Sequence, residues 1–369
     1  MVETLLKRAA RKIHSISKRA GRSRGVEPQF HQVEGVPPGL DYDVLTEMCD
    51  SRFGGRLVAV SHIHLSSWKS GGAFRLILKM SSGCERSLIY KTVAYRPDDL
   101  PGLVGLPVSP GAPEFIVYND LQKELATYLP EIYFCTEVAH RHYEYLMEDL
   151  GDEYQRAAGP AAILTVVAEL PNIRKALNRC APADLDHNLI RYDGEFSKAL
   201  LEYAHTNLER HVRSTKDKPT LEVIRTWTGI VKTHGDVGLQ DMQRSFLIHG
   251  DFGSSNILIH KQFPSRIKLI DWEWAGIGVP HADLASLLKP ANAEIEECGL
   301  RIFSRQDNGL SFDENNRLYQ WCKLERGLLD AAFLAAHYEK SSTKTRLNVP
   351  AFITQSSERA LAAYKVLAG

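Results

Sequence analysis

Residues 246–288 read FLIHGDFGSSNILIHKQFPSRIKLIDWEWAGIGVPHADLASLL. Phe246-Leu247-Ile248 is a short apolar run that suits a buried strand, and it delivers His249-Gly250-Asp251 into a loop. Asn256-Ile257-Leu258-Ile259 begins a second strand, and Ile267–Ile270 a third that ends in Asp271. Two strands joined by a tight turn would present Asp251, Asn256 and Asp271 from neighbouring loop ends. One carboxylate placed there can accept a proton from a hydroxyl, while an amide oxygen and a second carboxylate are hard donors suited to Mg²⁺. That set is what moving a phosphoryl group from a magnesium nucleotide to an alcohol requires. Each residue alone fits a hairpin turn, where Asp, Asn and Gly are common. Their joint spacing points to chemistry.

The preceding half reads as β-structure. Arg56–Leu65, Ala73–Met80 and Ser87–Val93 are apolar strands, and Ser81-Ser82-Gly83 marks a hairpin turn between the last two. A three-stranded antiparallel meander is expected. Pro113 suits the first turn of a helix expected to run to about Leu129, because its missing N–H has no helical partner there. Two more strands follow near Ile132–Ala139 and Tyr143–Asp149. Beyond Gly151 the pattern turns helical to about Thr233, a β-rich island occupies 245–280, and helices return to the end. The expected class is α+β: a basic extension over residues 1–40, a sheet-and-helix unit over 41–150 and a larger, mostly helical unit over 151–369.

The motifs His249-Gly250-Asp251 with Asn256, Ile270-Asp271-Trp272-Glu273 and Asp283-Leu284-Ala285 resemble those of the aminoglycoside phosphotransferase and choline kinase group of small-molecule kinases. The resemblance spans about residues 56–340 and implies a bilobal protein-kinase-like fold with ATP or GTP between the lobes. It implies Asp251 as catalytic base, Asn256 and Asp271 as Mg²⁺ ligands, and His249 and Asp283 as braces of the loops. Gly278-Val279-Pro280 departs from the Gly-Asp-Pro usual in that group, which bears on local loop shape. Lys91, inside the apolar strand Leu88–Val93, stands where a kinase lobe places its phosphate-contacting lysine. Its carboxylate partner is expected on the helix after Pro113: Glu114, by its spacing to Tyr118 and Leu121, or alternatively Glu124. Ser66–Gly72 lies where a phosphate-covering loop belongs, with Gly71 and Gly72 able to bring backbone N–H groups close to an anion. Leu146–Gly151, with Met147 and Glu148, resembles the hinge whose backbone binds the purine edge.

These features predict an ATP- or GTP-dependent phosphotransferase acting on a small-molecule hydroxyl: an aminoglycoside, amino alcohol, sugar, nucleoside or natural product. Two alternatives stand beside it. A kinase-like nucleotide-binding regulator would be expected to lose one of Lys91, Asp251, Asn256 and Asp271, and all four are present. A kinase with a protein acceptor would be expected to carry an Ala-Pro-Glu type segment after Asp271, and none is recognisable.

Composition narrows the partners. The 369 residues carry 45 basic and 45 acidic side chains, a balance that argues against nucleic-acid binding by bulk charge. No apolar run approaches the roughly 20 residues of a membrane-spanning helix, so no integral membrane association is expected. Six scattered cysteines suit a reducing compartment, and the expected location is the cytoplasm. His62-x-His64 and His140-x-His142 could suggest metal sites but lack a third nearby ligand. Trp272 and Trp274 are expected to pack, and Glu294, Glu296 and Glu297 to form a solvated helix face.

Residues 1–40 hold eight of the basic and three of the acidic side chains, with Leu5, Leu6, Ala9, Ala10, Ile13 and Ile16 at helical spacing. This arm reads as a simple extension, a membrane-surface helix or a transit peptide; the last would place the protein in an organelle matrix. Burying its basic residues unpaired would be costly. Deleting residues 1–25 is therefore expected to leave melting temperature and nucleotide affinity within error of the full chain. A drop of several degrees in a thermal melt would instead show that the arm docks on the kinase-like body.

Overall fold

The computed structural model describes residues 35–68, 71–94, 112–180, 189–215, 225–226, 246–305, 309–337 and 343–368. Residues 1–34 of the arm expected over 1–40, residues 69–70, the Pro/Gly-rich connection at 95–111, and 181–188, 216–224 and 227–233 of the helical stretch expected to reach Thr233 lie outside them.

Helix α1 (Tyr42–Arg52) starts at Asp41, whose carboxylate accepts the N–H of Asp43 at 2.8 Å. Strands β1 (Leu57–Trp68), β2 (Gly71–Met80) and β3 (Glu85–Ala94) form the expected meander. After α2 (Ala112–Asn119), strands β4 (Ile132–Ala139) and β5 (His142–Glu148) complete a five-stranded antiparallel sheet in the order β1-β2-β3-β5-β4. Period-two alternation on β3 turns Leu88 and Tyr90 towards Leu45 and Cys49 of α1. It turns Ile89 and Val93, and with them Lys91, to the opposite face, where Val117 and Tyr118 of α2 pack.

Two expectations need correction here. The register pairs Ser67 with Gly72 and Trp68 with Gly71, so strand pairing continues through most of the expected Ser66–Gly72 loop. A two-residue connection suffices to turn an antiparallel hairpin, which leaves only 69–70 between the strands and puts Gly71 and Gly72 inside β2. The helix expected to reach Leu129 ends at Asn119 and continues as turns. Leu121 N bonds back five residues to Ile116 O, at 3.3 Å. The carbonyls further along are claimed from β10 instead: Tyr128 O accepts Leu269 N at 2.7 Å, and Leu129 O accepts Lys268 Nζ at 2.6 Å.

The second half is mixed more finely than expected. It runs through β6 (Tyr154–Arg156), α3 (Pro160–Arg179), β7 (Ile190–Arg191) and α4 (Gly194–Thr215). The β-rich island follows as β8 (Phe246–Ile248), β9 (Ile257–His260), β10 (Ile267–Leu269) and β11 (Gly276–Gly278). Strands β6 and β7, absent from the sequence reading, are short and join the island's strands: β10-β9-β6 and β7-β11-β8. Helices α5 (His281–Leu287), α6 (Ala293–Ser304), α7 (Phe312–His337) and α8 (Thr343–Ala368) end the chain. One apolar core runs from Val93, Tyr118 and Tyr145 to Leu247, Trp272, Leu284 and Phe303, joining the sheet to the island. A second holds α4, α7 and α8 together through Leu200, Leu208, Leu324, Leu328, Ile353 and Ala360. Leu324 and Leu328 are buried on the core face of α7, with Trp321, Phe333 and Leu334 at its edge. No helix among the described residues is long and apolar enough to cross a membrane.

Between α4 and α7, Ser197 Oγ donates to the carboxylate of Glu325. Burial pushes that carboxyl from the ordinary 4.5 up to about 7, with the Ser197 and Trp321 hydrogen bonds opposing the shift. A folded pKa above the unfolded one adds stability that is complete below about 4.5 and is lost as pH rises through about 7. Glu325→Gln is therefore expected to exceed the wild type in stability at pH 8, on the order of 1–2 kcal/mol, and to lose that advantage near pH 5. Denaturant unfolding at the two pH values measures the difference.

Candidate active site

The loop after β8 is held by backbone hydrogen bonds that only its neighbours can supply. Asp283, near the start of α5, accepts the N–H of His249 at 2.9 Å on one oxygen and that of Gly250 at 2.9 Å on the other. Burial raises the Asp283 pKa to about 7, and the two amide donors pull against that rise. The buried His249 ring donates from Nε2 to Ile270 O at 3.0 Å, which leaves Nδ1 to accept Asp251 N at 3.3 Å. Burial holds this imidazole below its ordinary pKa. Gly250 has φ +75°, and a Cβ there would stand 1.9 Å from Trp274 O, so no side chain fits.

Asn256 ties the three loop ends together. Its Nδ2 donates to Asp251 O at 2.9 Å and to Asp251 Oδ2 at 3.0 Å, and its carbonyl accepts Ile270 N at 3.0 Å. Both amide protons therefore face Asp251, and Oδ1, which also accepts Ser255 Oγ at 3.1 Å, is the side available to a cation. Asp271 follows Ile270 with φ +67°, a left-handed backbone uncommon for a residue with a side chain. The resulting donors are hard oxygens, so Asn256 and Asp271 fit Mg²⁺ chemically.

Lys91 meets this loop from the sheet. Its Nζ lies 2.9 Å from both carboxylate oxygens of Glu114, 2.7 Å from Asp271 Oδ1 and 3.4 Å from Glu273 Oε1. Burial works against the ammonium, but Glu114, Asp271 and Glu273 outweigh it and hold the Lys91 pKa well above its usual value. Fully buried Glu114 is pushed up to about 7 by desolvation, against the pull of Lys91. Of the two carboxylates considered for this lysine, Glu114 is the one in contact; Glu124 lies on the exposed turns beyond α2. Glu273 joins the group two residues after Asp271, an Asp-x-Glu spacing visible in the sequence but given no role there.

Sequence reasoning missed one arginine altogether. Arg326 of α7 donates from one terminal nitrogen to Asp251 Oδ1 at 2.5 Å and from the other to Gly250 O at 2.9 Å. Its Nε lies 3.2 Å from Asp330, which itself sits 2.6 Å from Lys289 Nζ. Burial alone would raise the Asp251 pKa; Arg326 foremost, with His249 and Asn256, brings it below the usual carboxylate range. No local pattern marks Arg326. It stands 75 residues from Asp251 in a helix whose periodicity reads as core.

The remaining expected residues are placed less centrally. Met147 is buried in β5, paired with Ile89 and Ile132. Glu148 donates its N–H to Glu131 O at 2.8 Å and accepts Glu131 N on its side chain at 3.1 Å, so that N–H is not free for a purine. Asp149 beyond it is bound by Arg75 Nε at 2.7 Å and Ser87 Oγ at 2.5 Å, which anchors the hinge. Gly71 and Gly72 lie at the far tip of the β1–β2 hairpin. Neither histidine pair belongs to a ligand cluster among the described residues, where the one group of three is Glu114, Asp271 and Glu273 around Lys91. Trp272 is fully buried. Glu296 pairs with Lys323 at 2.5 Å and Glu297 with Arg301 at 2.7 Å, so that face is not uniformly acidic.

The sequence pattern of the phosphotransferase enzyme family (APH) matches residues 107–326, which include the loops of Asp251, Asn256 and Asp271 as well as Glu114 and Arg326, but not β1–β3 with Lys91. Choline kinase LicA from Streptococcus pneumoniae superposes with a TM-score of 0.53 at 15% identity, over 88% of this chain and 98% of that one. A thermostable mutant of the aminoglycoside phosphotransferase APH(4)-Ia, in ternary complex with AMP-PNP and hygromycin B, gives 0.53 at 17%, over 86% and 98%. An ethanolamine kinase of Plasmodium vivax gives 0.54 at 11%, over 82% of each chain. The fold is thus the bilobal, protein-kinase-like fold, with an antiparallel sheet unit and a mostly helical unit. No curated protein matches the sequence.

Removing the lysine would strand the carboxylate beneath it. Lys91→Met is expected to destabilise the protein by about 3 kcal/mol, because Glu114 would then be buried without a counter-charge. Lys91→Met/Glu114→Gln should recover most of that loss. Urea unfolding of the single and double variants tests the pairing independently of any activity.

Proposed function

We propose that this chain, which belongs to the phosphotransferase enzyme family, transfers the γ-phosphoryl group of ATP or GTP to a hydroxyl of a small molecule. The observation that carries the reading is the contact of Lys91 with Asp271. It sets a buried ammonium beside a carboxylate that one backbone bond, Ile270 N to Asn256 O, links to the loop of Asp251. Phosphate-binding charge, a hard-oxygen donor pair and a candidate base are thereby gathered in one place.

In this reading Lys91, oriented by Glu114, holds the nucleotide phosphates. Asn256 and Asp271 would hold Mg²⁺, which when bound supplies positive charge to the phosphate oxygens. Asp251 orients the acceptor hydroxyl. Its carboxylate is held ionised by Arg326 and is a weak base, so it takes the proton late, after the bond to phosphorus has largely formed. Loose phosphoryl-transfer transition states depend on positioning and charge neutralisation more than on a strong base, which fits that arrangement.

Nucleotide consumption against a panel of hydroxyl compounds, with ATP and GTP run separately, tests the reading. Asp251→Asn is expected to keep nucleotide affinity and lose turnover on the order of 10²–10⁴-fold. A near-normal rate would remove Asp251 from its role, and wild-type inactivity across the panel would remove the reading itself.

The panel also carries an expectation about charge. The Arg326 guanidinium lies 2.5 Å from the carboxylate that would receive the acceptor. An ammonium on the carbon next to the reacting hydroxyl would be held a few ångströms from that cation, in a site where solvent screens poorly. Neutral hydroxyl compounds should therefore show higher kcat/KM than choline or ethanolamine.

A further inference from the structure

Every part of the loop at 249–251 is fixed through backbone groups except the one that would meet the acceptor. Asp283 and His249 hold the amides, and Tyr192 Oη, donating to Trp274 O at 2.6 Å, closes the space beside Gly250. The Asp251 carboxylate is oriented by side chains alone. Oδ2 is held by Asn256, and Oδ1 by Arg326, which simultaneously binds the carbonyl of Gly250.

We propose that Arg326 is a positioning residue for phosphoryl transfer: from helix α7 its guanidinium clamps Asp251 and the Gly250 carbonyl together, and so sets the direction in which the carboxylate faces the acceptor. This rests on the function proposed above. The guanidinium is suited to the task because it is planar and presents its donors in a fixed fork. An ammonium at this position is a point charge that cannot hold both acceptors at the same spacing. The clamp is itself anchored. Asp330, one turn further along α7, forms an ion pair with the guanidinium at 3.2 Å and a second with Lys289, which follows α5, at 2.6 Å. Helix α7 is locked between α4 and α8 by their shared apolar core. The orientation of Asp251 is in this way referred to the most extensively packed helix of the second half as well as to its own loop. Orientation matters here because a weak base contributes chiefly by aligning the hydroxyl, and a misplacement of about 1 Å can cost on the order of 10² in rate.

The experiment compares Arg326→Met, Arg326→Lys and Asp251→Asn, alone and combined, using Mg–ATP with the fastest acceptor of the panel. Arg326→Met is expected to lower kcat on the order of 10²-fold while leaving KM for Mg–ATP within about twofold, and Arg326→Lys to recover only part of the loss. In the Asp251→Asn background Arg326→Met should have no further effect on kcat, because groups that act as a unit lose their contribution once. A merely structural arginine would instead give losses that multiply, and that result, or a normal kcat in Arg326→Met, overturns the proposal. Where methionine at this position prevents folding, Arg326→Gln, which keeps an amide donor, carries the same comparison. Hydrogen exchange over residues 248–254 is measured alongside and needs no turnover. Faster exchange confined to that segment in Arg326→Met supports the clamp, and unchanged exchange overturns it. If the wild type phosphorylates nothing, the proposed function falls, and the exchange result still decides whether Arg326 holds the loop.

Discussion

A buried ammonium cannot stand alone, and much of this architecture follows from satisfying the one on Lys91. The lysine enters from the centre of a strand, between Tyr145 on one side and Ala73 on the other, with most of its side chain shielded from water. Its counter-charges come from three places: Glu114 on α2, and Asp271 and Glu273 on the loop after β10. Each carboxylate is remote from the lysine in sequence, so the pairing forces helix, sheet and loop to converge. The apolar core surrounding it, from Val93 and Tyr118 to Trp272, supplies the low-dielectric setting that makes the convergence strongly preferred.

The loops themselves are held in conformations that residues with side chains rarely adopt. Gly250 and Asp271 both have positive φ, and both sit beside groups with candidate chemistry. Such backbone persists when surrounding bonds over-determine it. Asp283 supplies two of those bonds to the first loop, and Asn256 bridges from that loop to the backbone of the second. The polar residues of this region therefore act largely on one another's backbones. Two of them, Asp251 and Asp271, direct their carboxylates to cations carried by distant elements, Arg326 and Lys91.

Membership of a phosphotransferase family, with structural likeness at 11–17% identity to proteins described as choline, ethanolamine and aminoglycoside kinases, separates two levels of specification. The shared level is the fold and the family pattern that covers its loops. Under the proposed function the acceptor would be specified elsewhere, by whatever lines the approach to Asp251, since a common fold is compatible with many acceptors. In this chain the Arg326 guanidinium is paired with Asp251 and Asp330, and Asp330 is shared with Lys289.

The sequence alone determined most of the local elements and singled out the candidate loop residues. Short apolar runs ending in Asp, Asn and Gly are readable because strand periodicity and turn chemistry act over a few residues, and β8, β9 and β10 fall where those signals lie. The meander was legible for the same reason. Where long-range partners competed with local preference, the reading failed. Strand pairing overrides the small-residue loop before Gly72, and the segment after Asn119 runs on as turns whose last carbonyls, on Tyr128 and Leu129, meet β10. Only the tertiary structure brought Glu114, the carboxylate favoured in the sequence, against Lys91, added Glu273 to the pair and carried Arg326 to Asp251. Those contacts join residues 23, 182 and 75 positions apart. A charged side chain selects its partner by proximity in the folded chain, and no spacing along the sequence encodes which distant charge will arrive.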